Sequence, residues 1–239
     1  MNKVGLEIEV PFRFYFPEVY AKHFGNGQMF LAMSKSERED LIRDTELVEP
    51  VVKERIARAL EQFGLERGLD RYCEFILNPE EDYTKHLPII SGLVEANVVP
   101  LDMPLSVHFT IGNIDRDKAF AILFFLELKY NTANRMLEGF NDLPHLTAWN
   151  RKGKCGVMKK KKEELKYEDS AYELRTIKVS MRELPNVLKD LDRHLNKESI
   201  VKDAKKWLKE IGLPWKAWNK AEFEKFAGCL NYLNKYHSV

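Results

Sequence analysis

The sequence predicts an α+β fold, an antiparallel sheet with helices packed on one of its faces. Three observations carry that expectation. Four segments alternate in polarity or are β-rich over strand length, at residues 4–10, 71–77, 104–112 and 171–180. The helical segments between them do not follow a tight strand–helix–strand rhythm, which argues against a parallel sheet. The run Ala-Phe-Ala-Ile-Leu-Phe-Phe-Leu at 119–126 lies in a helix that is apolar nearly all round, so that helix has to be buried.

Taken in order, residues 4–10 read Val-Gly-Leu-Glu-Ile-Glu-Val, strict period-two alternation and therefore a strand. Residues 34–44 and 49–63 read as two helices, the first capped by Ser34 and the second with Pro50 at its first position. Residues 71–77 form a second strand that ends at Asn78-Pro79, and 84–97 are helical around Pro88. Residues 104–112 alternate as a third strand, and Asp115 caps a helix that runs to about Tyr130. Residues 150–170 read as a Gly- and Lys-rich loop, and 171–180 as the fourth strand. Helices follow at about 183–195, 198–211 and 220–236, with Pro214 as punctuation.

The chain of 239 residues is long enough for a sizeable core, and 44% hydrophobic with 31% charged residues is a globular composition. The longest apolar run, Ala119–Leu126, falls short of the roughly 20 residues of a membrane helix. The start Met1-Asn2-Lys3-Val4-Gly5-Leu6-Glu7 lacks the apolar stretch of a secretory signal. Cys73, Cys155 and Cys229 are far apart with no CxxC, which speaks against a structural zinc site. The expectation is a cytoplasmic protein with no membrane partner. Formal net charge is +1, but residues 1–150 carry 16 Lys/Arg against 24 Asp/Glu, a net of −8, and residues 151–239 carry 22 against 13, a net of +9.

Side chains alternate across a strand, so each strand divides into two faces. Val4, Leu6, Ile8 and Val10 oppose Gly5, Glu7 and Glu9; Cys73, Phe75 and Leu77 oppose Tyr72, Glu74 and Ile76; Val107, Phe109 and Ile111 oppose Ser106, His108 and Thr110. In the fourth strand Leu174, Thr176 and Lys178 oppose Glu173, Arg175, Ile177 and Val179. One sheet face therefore carries Glu7, Glu9, Glu74, His108, Glu173 and Arg175. A one-sided antiparallel sheet shows polar side chains to water in any case, and that reading stays open. Clustered carboxylates are costly unless cations neutralise them, and divalent ions with oxygen ligands do so. One imidazole among them tolerates Mg²⁺ and suits Mn²⁺ better.

These residues carry a family resemblance. Gly5-Leu6-Glu7-Ile8-Glu9 resembles the first-strand G-x-E-x-E of the glutamate–cysteine ligase and glutamine synthetase superfamily. Glu74-Phe75-Ile76 with Pro79 resembles its E-F-x-x-P segment, with one residue extra. Ser106-Val107-His108-Phe109 resembles its strand with a metal-binding histidine, and Glu173-Leu174-Arg175 its late E-x-R strand. Arg151, after Trp149-Asn150, stands where the family often has a phosphate-binding arginine. An acidic residue upstream of the second-strand Glu has only Glu66 and Asp70 as counterparts.

The resemblance implies a glutamine synthetase-like catalytic domain over 1–180 and a helical C-terminal extension over 181–239 packed on it. It implies an ATP-dependent carboxylate–amine ligase, an amidoligase that forms an amide or peptide bond through an acyl phosphate. Metal ligands would be Glu7, Glu9, Glu74, His108 and Glu173, with Mg²⁺ or Mn²⁺. Arg175 and Arg151 would stabilise the transferred phosphoryl group, and Arg151, Arg175 and Lys154 would contact ATP. Substrates would be a small-molecule or peptide carboxylate and an amine; a homo-oligomer is compatible with this reading. The alternative is a degenerate relative that binds nucleic acid or an acidic partner through the basic C-terminal half.

The run Arg151–Lys162 holds seven basic residues in twelve. It reads as a lid over ATP phosphates, as a polyanion patch, or as a solvated loop. Trp207, Trp215 and Trp218, followed by Phe223, Phe226, Tyr232 and Tyr236, read as a core or interface stripe before base-stacking. The remaining histidines, among them His23, His86 and His194, carry no motif.

Overall fold

A computed structural model describes residues 2–25, 33–67, 74–130, 157–159 and 171–215, with residues 225, 228 and 229. Among the described residues six strands form one sheet: β1 (Val4–Glu9), β2 (Glu66–Arg67), β3 (Glu74–Glu80), β4 (Leu105–Gly112), β5 (Val157–Lys159) and β6 (Ala171–Val179). Their order is β2-β3-β1-β4-β6-β5, and every neighbouring pair is antiparallel. The helices are α1 (Phe12–Tyr15), α2 (Pro17–Phe24), α3 (Lys35–Phe63), α4 (His86–Glu95), α5 (Arg116–Tyr130), α6 (Leu184–Leu195) and α7 (Ile200–Glu210). The protein is α+β with an antiparallel sheet, as the alternation predicts.

The apolar sheet face (Leu6, Ile8, Phe75, Leu77, Val107 and Phe109 among others) joins one continuous cluster with α5, α6 and α7. Residues Ala121 to Leu128 of α5 are all buried, as its all-round apolar sequence requires. That helix lies against β6 and is covered in turn by α6 and α7. Asp190 of α6 ties the layers: it accepts from Tyr130 Oη at 2.5 Å, pairs with Lys129 at 2.8 Å, and also pairs with Arg193. On the other flank, His86 Nε2 donates to the Val4 carbonyl at 2.9 Å, and Tyr15 Oη to the Val98 carbonyl at 2.6 Å. Each removes a buried polar group from the unsatisfied count.

Four details differ from the sequence reading. The two helices predicted at 34–44 and 49–63 are a single helix, α3, of 29 residues with Pro50 inside it. Pro50 is exposed, so the hydrogen bond it cannot make and the carbonyl its ring crowds lie where water can substitute. The ends of α3 are strongly marked: Ser34 and Glu37 form a reciprocal capping box, and Gly64 closes the helix at φ +62. Second, the strand predicted to stop at Asn78-Pro79 continues to Glu80. The register slips between Val4 opposite Glu80 and Leu6 opposite Leu77, and Pro79, which has no N–H to pair, occupies that irregularity. Third, the stretch read as loop at 150–170 contains β5 at the sheet edge. Fourth, α1 and α2 occupy a segment to which the sequence reading assigned nothing. The C-terminal helix at 220–236 lies almost entirely outside the described residues, and no described helix is long and apolar enough to cross a membrane.

Pro50→Ala tests the continuity of α3. In a helix interior the exchange raises unfolding free energy by about 1–3 kcal/mol in urea titrations. An unchanged or lower value would return Pro50 to the start of a separate helix, where proline is favourable.

Candidate metal centre

Antiparallel pairing places directly opposed residues on the same sheet face. The register sets Glu9 opposite Glu74, Glu7 opposite His108, and Thr110 opposite Glu173. Four strands distant in sequence therefore deliver carboxylate, carboxylate, imidazole and carboxylate to one surface. The opposite side chains of the same strands are the apolar ones, so burial of the core face fixes the direction of the acidic residues.

His108 is the centre of the group, its side chain only 3% exposed. Its Nδ1 stands 3.4 Å from Glu7 Oε2 and 3.4 Å from Glu173 Oε1, and its Nε2 stands 3.7 Å from Glu9 Oε1. One ligand atom from each of Glu7, Glu74 and His108 lies within 4.8 Å of the others. Glu173 is completely buried, and its second oxygen faces Arg175 Nη1 at 3.5 Å. A carboxylate in such a position is retained only with cationic or hydrogen-bonding company.

The electrostatics follow from this crowding. Burial raises the Glu74 carboxyl above its ordinary range, and the negative charges of Glu7 and Glu9 push it further. Burial by itself lowers the affinity of His108 for a proton. Hydrogen bonding to Glu173 and Glu7 and the charges of Glu9 and Glu173 outweigh it and raise the group to about 9. A protonated His108 is one counter-charge to these carboxylates, and Arg175 beside Glu173 is another. A donor set of carboxylate oxygens with one imidazole fits Mg²⁺ or Mn²⁺ and suits Mn²⁺ better. A divalent ion would take over the neutralising role and His108 would bind it without its proton.

The structure brings together Glu7, Glu74 and His108, with Glu9 and Glu173 bordering the same imidazole and Arg175 against Glu173. Arg151 and Lys154 lie outside the described residues, as do Lys160–Lys162, Asp70, Cys73 and Cys155. Glu66 pairs through its backbone with Ile76, on β3 beside Glu7. Lys159 is exposed and pairs with Tyr172, one position off the Glu173 row.

One predicted face is wrong. Ile177 and Val179 do not share the side of Glu173; both are fully buried with Leu174 on the apolar side. Val107 pairs with Ile177 but Phe109 pairs with Leu174, so β6 takes one residue more than β4 and its alternation inverts there. The same bulge moves Lys178 to the acidic side, opposite Ser106. The weak alternation of this strand was the only trace of the bulge in the sequence. Trp207 and Trp215 pack against the apolar cluster, Trp215 edge-on to Phe120 at 4.9 Å. His86 and His194 have structural surroundings: the Val4 carbonyl for the first, and the face of Phe125 at 5.5 Å for the second.

Comparison with known proteins gives no relative: no family model, no curated protein and no solved structure matches the chain. The site therefore stands on its own geometry.

Two outcomes are expected. Mn²⁺ at about 100 times its Kd stabilises the fold by about 2.7 kcal/mol, and Glu7→Gln or His108→Ala weakens binding at least about tenfold by thermal shift and Mn²⁺ spectroscopy. In chelator, the raised His108 contributes stability that is complete below its unfolded value of 6.5 and is lost as pH rises through about 9. The melting temperature of metal-free protein should fall across that window, and the fall should flatten in His108→Gln.

Proposed function

We propose that the protein is an ATP- and Mg²⁺- or Mn²⁺-dependent carboxylate–amine ligase built on a glutamine synthetase-like catalytic sheet. The observation that carries this reading is the convergence of Glu7, Glu74 and His108 on one sheet face, with Glu9 and buried Glu173 around the same imidazole. The strand order β3-β1-β4-β6 places the four resembling motifs side by side, which supports the resemblance read in the sequence.

A carboxylate is a poor acyl donor because oxide is a poor leaving group. Its oxygen would attack the γ-phosphorus of ATP and displace ADP to give an acyl phosphate. The amine would then attack the carbonyl carbon, lose a proton, and expel phosphate. Bound divalent ions would neutralise the β- and γ-phosphoryl oxygens as they approach an anionic substrate. Glu7, Glu74 and His108 would hold the cation, with Glu9 and Glu173 beside the same imidazole. Glu173 also restrains the Arg175 guanidinium, and a restrained fork is well suited to charge developing on the transferred phosphoryl group. Arg151 and Lys154 are proposed to reach the same phosphates.

The test is ADP release with pooled amino acids, peptides and amines in the presence of Mg²⁺ or Mn²⁺. Glu173→Gln and Arg175→Ala should each lower turnover at least about a hundredfold while the far-UV spectrum is retained. No metal-dependent turnover on any substrate, together with salt-sensitive nucleic-acid binding, would replace this reading with that of a binding module.

A further inference from the structure

The bulge in β6 does more than correct a face. Between Leu174 and Ile177 the strand advances three residues while β4 advances two, from Phe109 back to Val107. Before the bulge the acidic side of β6 carries Glu173 and Arg175; beyond it the same side carries Lys178. Lys178 is opposite Ser106, Ser106 is opposite Glu9, and Glu9 is opposite Glu74. One row across four strands therefore reads carboxylate, carboxylate, hydroxyl, ammonium. Opposed side chains in such a row start about 5 Å apart at Cβ, so Lys178 and Glu9, two strands apart, start about 10 Å apart.

The spacing and the order of charges are those of a linear anion rather than of a single ion. A cation held by the carboxylates of β1 and β3 would meet one end. The Ser106 hydroxyl can donate in the middle, and the half-buried Lys178 meets the other end with a flexible point charge. Arg175 lies within the bulge, three residues before Lys178 on β6, and faces Glu173 at 3.5 Å. We propose that Lys178 is an anion-anchoring residue of this site, placed by the β6 bulge to hold the far phosphoryl group of a polyphosphate whose near end meets the metal. This rests on the metal-centre reading of Glu7, Glu74 and His108. It adds a residue that strand alternation assigns to the wrong face.

The experiment measures two affinities on the full chain: Mn²⁺ alone, and inorganic tripolyphosphate or ATP in saturating Mn²⁺. Lys178→Met, which keeps the apolar stem, should bind Mn²⁺ within about twofold of wild type and lose at least about tenfold in affinity for both anions. Lys178→Arg should recover most of the loss. If Lys178→Met fails to fold by urea titration, Lys178→Gln is measured in its place against the same thresholds. Unchanged tripolyphosphate affinity with normal Mn²⁺ binding would overturn the role of Lys178 and leave the metal centre standing. A wild-type protein that binds Mn²⁺ but no polyphosphate would also overturn it. Absence of Mn²⁺ binding by wild type would overturn the metal-centre reading itself, and the assignment of Lys178 with it.

Discussion

A carboxylate withdrawn from water must be met by positive charge or by donors, and Glu173 imposes that requirement on β6, between β4 and the edge strand β5. It is completely buried, with His108 on one side and Arg175 on the other. His108 is in turn shared with Glu7 and Glu9. Removing His108 or Arg175 would leave Glu173 short of positive charge in a place where water cannot easily replace it. The acidic face is thus a coupled unit, and its members cannot be treated as independent surface residues.

The unit exists because β1 lies between β3 and β4, with β6 beyond. On each of these strands the apolar side chains enter the core formed with α5, α6 and α7, and the remaining side has one direction left to face. Stability and site construction are therefore the same event here. A slip of one residue in β1 would bury Glu7 and Glu9 in the apolar layer and expose Leu6 and Ile8. The charge split of the sequence acquires a partial structural meaning in this arrangement. Glu7, Glu9 and Glu74 belong to β1 and β3 on one side of β4, and Arg175 and Lys178 belong to β6 on the other, together with Glu173.

Much of this was legible from local patterns. The faces of β1 and β4 follow from strict alternation, and α5 follows from an apolar run too broad for a half-exposed helix. Asp115 does cap α5, its Oδ1 accepting from the Lys118 N–H at 2.7 Å. The failures have a common cause. The local preference of Pro50 is for the first position of a helix, but its exposed place within a long capped helix makes an interior proline tolerable. Pro79 was read as a terminator, but a register irregularity accommodates it within β3. Ile177, Val179 and Lys178 were assigned to faces by counting in twos, and the count changes at the bulge opposite Val107–Phe109.

The sequence by itself determined which side chains of β1, β3 and β4 turn together, because alternation is a property of neighbouring residues and needs no partner. It also determined the chemical character of that face: carboxylates around a single imidazole. Only the tertiary structure decided that Glu9 meets Glu74, that Glu7 meets His108, and that Lys178 joins the same surface. Those are choices of register between segments far apart in the chain. Register is set by how the apolar faces pack as a layer and by where one strand takes an extra residue, and neither is written in any local stretch of sequence.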